Sequence, residues 1–120
     1  MPRFEAGQVV RVPFPYSDGT PRHHRPALIV ATVGTDEAPF LLWVLMITSS
    51  GNRPWPGDIG IPDLGAAGLP APSIIRTAKI ATIEATHAET IGLVSEAIMV
   101  AVRTALDARL SLSNQRPHDP

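Results

Sequence analysis

The sequence predicts a mainly β, α+β domain, a small curled sheet or barrel with one C-terminal helix packed on it. Three observations point there. Short apolar segments recur between loops dense in proline and glycine, with 13 prolines and 9 glycines in 120 residues. Most of those segments alternate or run apolar over lengths suited to strands. Only after Ser95 does the apolar spacing become helical. The length suits one domain with one core. That domain is placed at residues 1–112, and residues 113–120 are expected to be a disordered tail.

"GQVVRVPF" (Gly7–Phe14) is valine-rich and loosely alternating, which predicts a strand. Pro13 and Pro15 limit pairing at its far end and suggest a sheet edge. "PYSDGTPRHH" (Pro15–His24) reads as a loop, long for a hairpin. In "RPALIVA" the proline drives Arg25 toward an extended conformation and opens a strand at Pro26. "FLLWVLMI" (Phe40–Ile47) is apolar throughout, as expected of a strand covered on both faces. Trp43, in its middle, is assigned to the core. Residues 53–72 read as loop with a short strand near Asp58–Ile61. "SIIRTAKIATIEA" (Ser73–Ala85) alternates and is one bent strand or two. Ser95 is the expected N-cap of a helix that ends near Leu110. Its inner face is expected to carry Ile98, Ala101, Val102, Ala105, Leu106 and Arg109.

The composition narrows the chemistry. No cysteine is present, so disulfides and thiolate metal sites are excluded. The longest apolar run is too short to span a bilayer, and the N-terminus has no apolar signal core. A cytoplasmic location is expected. The formal net charge of −1 disfavours a protein that grips duplex DNA by bulk electrostatics, though it permits a local basic groove. No metal-ligand spacing, phosphate loop, dinucleotide fingerprint or serine elbow occurs, so neither metal nor cofactor is expected.

What remains is cationic and hydroxyl groups at strand ends. Arg25 begins one strand, and Thr48, Ser49 and Ser50 follow the next. If those strands run antiparallel, Arg25 and Thr48 share one end of the ladder. A guanidinium fork beside a hydroxyl suits a phosphate, and arginine stabilises the added charge of a pentacoordinate phosphorus.

The ordered set "GQVVRVPFP", "RHHRPALIV", "VLMITSS", "GLPAPSIIRTAKIATIEA" and "IGLVS" resembles the MazF/PemK family of type II toxins, along nearly the whole chain. The resemblance implies a MazF/CcdB-like, SH3-like barrel of about five to seven strands with a C-terminal helix, acting as a homodimer. It implies metal-independent, sequence-specific cleavage of single-stranded RNA, restrained by a cognate MazE-like antitoxin with an acidic C-terminal segment. The family's catalytic arginine precedes the proline of "RPALIV", here Arg25, and its threonine lies in "ITSS", here Thr48. Where the family often has Lys or Arg before that arginine, this chain has His23 and His24. An imidazole near neutral pH attracts phosphate less than a fixed cation does.

The implied reaction is attack of a ribose 2′-OH on the adjacent phosphorus, giving a 2′,3′-cyclic phosphate and a 5′-OH. Arg25 neutralises charge and Thr48 bonds a phosphate oxygen or orients the hydroxyl. His24 is the candidate proton carrier, a role open to histidine near neutral pH, and His23 is a weaker one. Candidate RNA-binding residues are Phe14, Tyr16, Arg22, His23, Ser49, Ser50, Arg53, Arg76 and Lys79. Each charged one, taken alone, is also what a solvated surface looks like. Trp55, between Pro54 and Pro56, either stacks a base or packs against the barrel or a second subunit. Two alternatives stay open: a gyrase-binding toxin on the same barrel, and a catalytically inactive member that only binds.

Overall fold

The computed structural model describes residues 4–14, 23–35 and 39–114. Six strands form one antiparallel sheet: β1 Gln8–Phe14, β2 His23–Gly34, β3 Pro39–Ser49, β4 Asp58–Gly60, β5 Ser73–Glu84 and β6 Glu89–Leu93. Their spatial order is β4-β5-β3-β2-β1-β6. The sheet curls like a barrel but keeps two edges, β4 and β6. A one-turn helix, α1 Leu64–Ala67, precedes β5, a 3-10 turn at Ala85–His87 links β5 to β6, and α2 Glu96–Asn114 ends the described chain. No helix among the described residues is long and apolar enough to cross a membrane.

Strand alternation sorts the apolar side chains into two clusters, one on each face of the sheet. Val10, Val12, Ala27, Ile29, Val44 and Met46 meet Phe4, Ile83 and Ala85 on the first face. Val9, Leu28, Leu45, Ile47 and Ile75 meet Leu69, Met99 and Val102 on the second. Leu28 and Leu45 are fully buried, and each contributes roughly 1.5–3 kcal/mol through burial.

The helices are placed by their caps and by close approach. Ser95 accepts from Ile98 N through its hydroxyl at 3.3 Å, so it caps α2 as the sequence predicts. Asp63 caps α1 by accepting from Ala66 N, and Gly68 ends it at φ 73°. A Cβ on Gly68 would lie 2.1 Å from Ile91 O, and one on Gly92 would lie 2.3 Å from Ala67 C. Backbone therefore meets backbone where α1 crosses β6. That contact fixes the start of the 68–73 segment, which becomes a wall of the cleft described below.

Five expectations need correction. β1 is not an edge, because it pairs with both β2 and β6. Pro13 is still accommodated: pairing with β6 stops at Arg11, so it faces no second partner strand there, and Pro15 lies outside the described residues. Trp43 is 46% exposed, not core. The second cluster takes in Leu45 and Ile47 but stops short of Trp43 on the same face. α2 continues to Asn114, about a turn past Leu110. Its buried stripe is Met99 and Val102 with Ile98, Ala105 and Leu106 partly buried, while Ala101 and Arg109 are exposed. The region read as loop with one short strand also contains α1.

Candidate functional site

The site begins with a proline. β2 and β3 pair from Gly34↔Pro39 down to Ala27↔Met46, where their described pairing ends. Pro26, which has no N–H to donate, is the next residue. Past that point each strand stays with its outer neighbour only. β2 follows β1 to the pair Phe14↔His23, and β3 follows β5 to Ser49↔Ser73. The two central strands thus separate like a fork, and a cleft of about 440 Å³ opens between the tines.

Arg25 and Thr48 sit on the tines, and both line the cleft. Alternation puts Arg25 on the face of Ala27 and Ile29, and Thr48 on the face of Met46 and Val44, which is the same face of the sheet. Continuing the Ala27↔Met46 register by two residues sets them opposite each other. Thr48 is only 9% exposed, and Nε of Arg25 is shielded from solvent. The 68–73 segment and Ile91 complete the lining of the cleft.

Thr48 is held from the turn that follows β3. Asn52 Nδ2 donates to Thr48 Oγ1 at 2.6 Å. A hydroxyl that accepts on one lone pair directs its own hydrogen elsewhere, so Thr48 is set to donate. The turn is itself tied down: Gly51 N donates to Ser49 Oγ, Asn52 N to Ser49 O, and Ser50 N to Pro72 O. Asn52 was not among the residues singled out from sequence. Its only signal there was its place one short turn beyond "ITSS".

The remaining candidates divide. His24 is exposed and lines the cleft with Arg11, its near neighbour across the β1–β2 ladder. Adjacent residues on a strand point to opposite faces, so His24 and Arg25 approach the fork from its two sides. A second, polar cleft of about 460 Å³ continues past them to Thr86 and His87. Arg11 and His87 also escaped the sequence reading. Both have acidic neighbours, Glu89 at 3.9 Å and Glu84 at 3.7 Å. At such exposed positions these pairs contribute little. Ser49 lines the cleft, whereas Ser50 borders a different groove beside Ile61 and Ile98. Arg53 and Lys79 are exposed, Lys79 on the outward bulge of β5. Phe14 and His23 are a cross-strand backbone pair. Tyr16 and Arg22 lie outside the described residues.

Arg76 is not an open cation. Its Nε and Nη2 bond both carboxylate oxygens of Asp58 at 3.3 and 3.2 Å, and Nη2 also donates to Arg53 O at 2.8 Å. The guanidinium lies 4.2 Å from the centre of the Trp55 ring. With side-chain exposures of 9% and 10%, the Arg76–Asp58 pair is buried and braces the 53–58 loop. Among the described residues no group of three or more His, Asp or Glu side chains converges as a metal site.

Known proteins resemble this chain along nearly its whole length. A mycobacterial endoribonuclease, solved in complex with its cognate antitoxin, superposes with TM-score 0.68 at 22% identity, covering 95% of this chain and 97% of its own. MazF from Deinococcus radiodurans gives TM-score 0.69 at 18% identity, with 92% and 99% covered. The Mycobacterium tuberculosis toxin MazF-mt6 gives 0.67 at 18%, with 87% and 96% covered. These likenesses establish the fold. No curated protein sequence matches the chain. Residues 5–110 match the family described as PemK-like, MazF-like toxin of type II toxin–antitoxin system. With that match spanning most of its length, the chain belongs to the PemK/MazF-like toxin family.

Proposed function

We propose that this toxin is an endoribonuclease that cuts single-stranded RNA at short sequences, with Arg25 and Thr48 as its catalytic pair. The observation that carries the reading is the fork. Arg25 and Thr48, on the same sheet face, line a single cleft, and Asn52 orients the Thr48 hydroxyl. The ribose 2′-oxygen attacks the adjacent phosphorus, the bond to O5′ breaks, and the products are a 2′,3′-cyclic phosphate and a 5′-OH. Arg25 neutralises the dianionic phosphorane. Thr48 donates to a phosphate oxygen, with Asn52 holding it in place. His24 carries the proton from the 2′-OH and returns one to the leaving 5′-oxygen. Ser49, Arg53 and Lys79 border the strand's path, and no metal enters the scheme.

The active species is a cytoplasmic homodimer, neutralised by a cognate antitoxin whose acidic C-terminal segment competes for the basic cleft. Support for the partner comes from the family and from the mycobacterial endoribonuclease solved in complex with its cognate antitoxin.

The test is direct. Purified protein, with chelator present, is mixed with a long single-stranded RNA. Discrete fragments ending in cyclic phosphate are expected, and Arg25→Ala or Thr48→Val should leave the RNA whole. Uncut RNA together with stalled DNA supercoiling would favour the gyrase-binding alternative. An unchanged pH–rate profile in His24→Ala would remove that histidine from the proton transfers.

A further inference from the structure

We propose that Trp55 is a stacking platform for one nucleobase of the bound RNA, the base next to the phosphate held between Arg25 and Thr48. This rests on the endoribonuclease reading and adds a subsite to it.

The argument starts from an oddity. Trp55 is 41% exposed, yet its loop is tied down by several hydrogen bonds. Pro54 and Pro56 fix the backbone on both sides. Trp55 N donates to Asp58 Oδ2 at 2.8 Å, and Asp58 N donates back to Trp55 O at 3.2 Å. Gly57 adopts φ +90°, and its carbonyl accepts from Thr77 Oγ1 at 2.8 Å. A Cβ there would lie 2.7 Å from that same oxygen, so only glycine fits without displacement. Exposed aromatics that merely fill surface need no such scaffold. Rigid presentation lowers the ordering cost of binding.

The ring also has one face occupied. The Arg76 guanidinium lies 4.2 Å from its centre and is itself buried, so it sits on the inner side. The exposed area of Trp55 is therefore on the other side of the ring. A flat apolar face, held still and open to solvent, suits a flat partner.

Position selects the partner. Arg76 pairs with Met46, and Thr48 lies two residues further along the same strand face. Diagonal neighbours of this kind are about 7–8 Å apart. The same loop contributes Asn52 to Thr48 and Arg53 O to Arg76. One rigid unit thus holds both the catalytic hydroxyl and the ring. A strand whose phosphate reaches Thr48 has a neighbouring base within reach of Trp55. Stacking accepts any base by its π-face, so the subsite contributes affinity and register more than sequence choice.

The experiment uses the full chain. Mapping wild-type cuts on a defined transcript comes first, and absence of cutting overturns the nuclease reading itself. Oligoribonucleotides around the cut are then blocked with a 2′-deoxyribose there, either intact or with an abasic residue on one side. Trp55→Ala should weaken binding of the intact oligonucleotide by about 5- to 160-fold. An abasic residue at one neighbouring position should cost wild type a similar factor, and the two changes together should cost little more than either alone. Trp55→Phe should keep most of the affinity. As a check that needs no change at Trp55, its emission in Trp43→Phe protein should be quenched by the intact oligonucleotide and not by that abasic one. Losses that multiply, or quenching indifferent to the abasic site, overturn the platform. So does a Trp55→Ala protein that binds RNA normally and loses only antitoxin affinity or melting temperature.

Discussion

Removing the Asp58 carboxylate should unfasten the 53–58 loop, at a cost the structure lets one work out. Asp58 accepts two bonds from Arg76 and one from Trp55 N. In Asp58→Ala the guanidinium stays buried without its counter-ion. Breaking one partner of a buried pair costs about 3–5 kcal/mol. Here Arg76 keeps its bond to Arg53 O and the ring of Trp55, and Trp55 N lies where water replaces its acceptor. The loss should therefore fall at the low end, about 3 kcal/mol. With m-values of about 1–3 kcal/mol per molar for small proteins, the urea midpoint drops by roughly 1–3 M. Equilibrium unfolding at one fixed protein concentration measures it, since the stability of the proposed dimer would depend on concentration. Replacing both partners, Asp58→Leu with Arg76→Met, should recover most of the loss, because no charge is then buried alone. A single Asp58→Ala change costing under about 1 kcal/mol would refute the brace. So would a double variant no better than the single one.

Three further outcomes are expected. Gly92→Ala should destabilise by about 1–3 kcal/mol in the same assay, because its methyl would overlap the Ala67 backbone rather than a side chain able to move. Asn52→Ala should lower kcat on an RNA oligonucleotide by about 2- to 12-fold with KM little changed, the value of one hydrogen bond that orients Thr48; an unchanged kcat would show that Thr48 needs no support. Arg53→Gln should flatten the salt dependence of RNA affinity, reducing the log–log slope by about 0.7, as expected for one lost phosphate contact on a single strand; an identical slope would assign Arg53 to the solvated surface.

Much of the sheet was legible because its apolar residues report pairing directly. Val9 and Val10, the run Ala27–Ile29, Leu42, and the run Val44–Ile47 are buried where the pattern placed strands. Arg25 and Thr48 could be brought to one end of a ladder from strand order alone, since antiparallel neighbours share their ends. Trp43 was misread because a run of apolar residues announces two covered faces but not how far the cover extends. α1 was hidden because one turn of helix has no period to detect. Met99 displaced Ala101 from the helix's inner stripe because a single helix can be rotated by a few tens of degrees without changing its spacing pattern. Arg76 as a phosphate ligand was a natural reading of an isolated cation; its long-range partner Asp58, 18 residues away, becomes visible only once β4 docks on β5.

The parting of β2 from β3 at Pro26 has a mechanical consequence. Arg25 takes its position from β1, while Thr48 takes its position from β5 and Asn52. Nothing in the described ladder bolts one directly to the other beyond Ala27 and Met46. The gap between them works like the jaws of tweezers, whose opening is set at the pivot and not at the tips. Bulkier or smaller side chains at that pivot would spread or narrow the jaws, retuning what they grip while leaving both gripping groups chemically untouched.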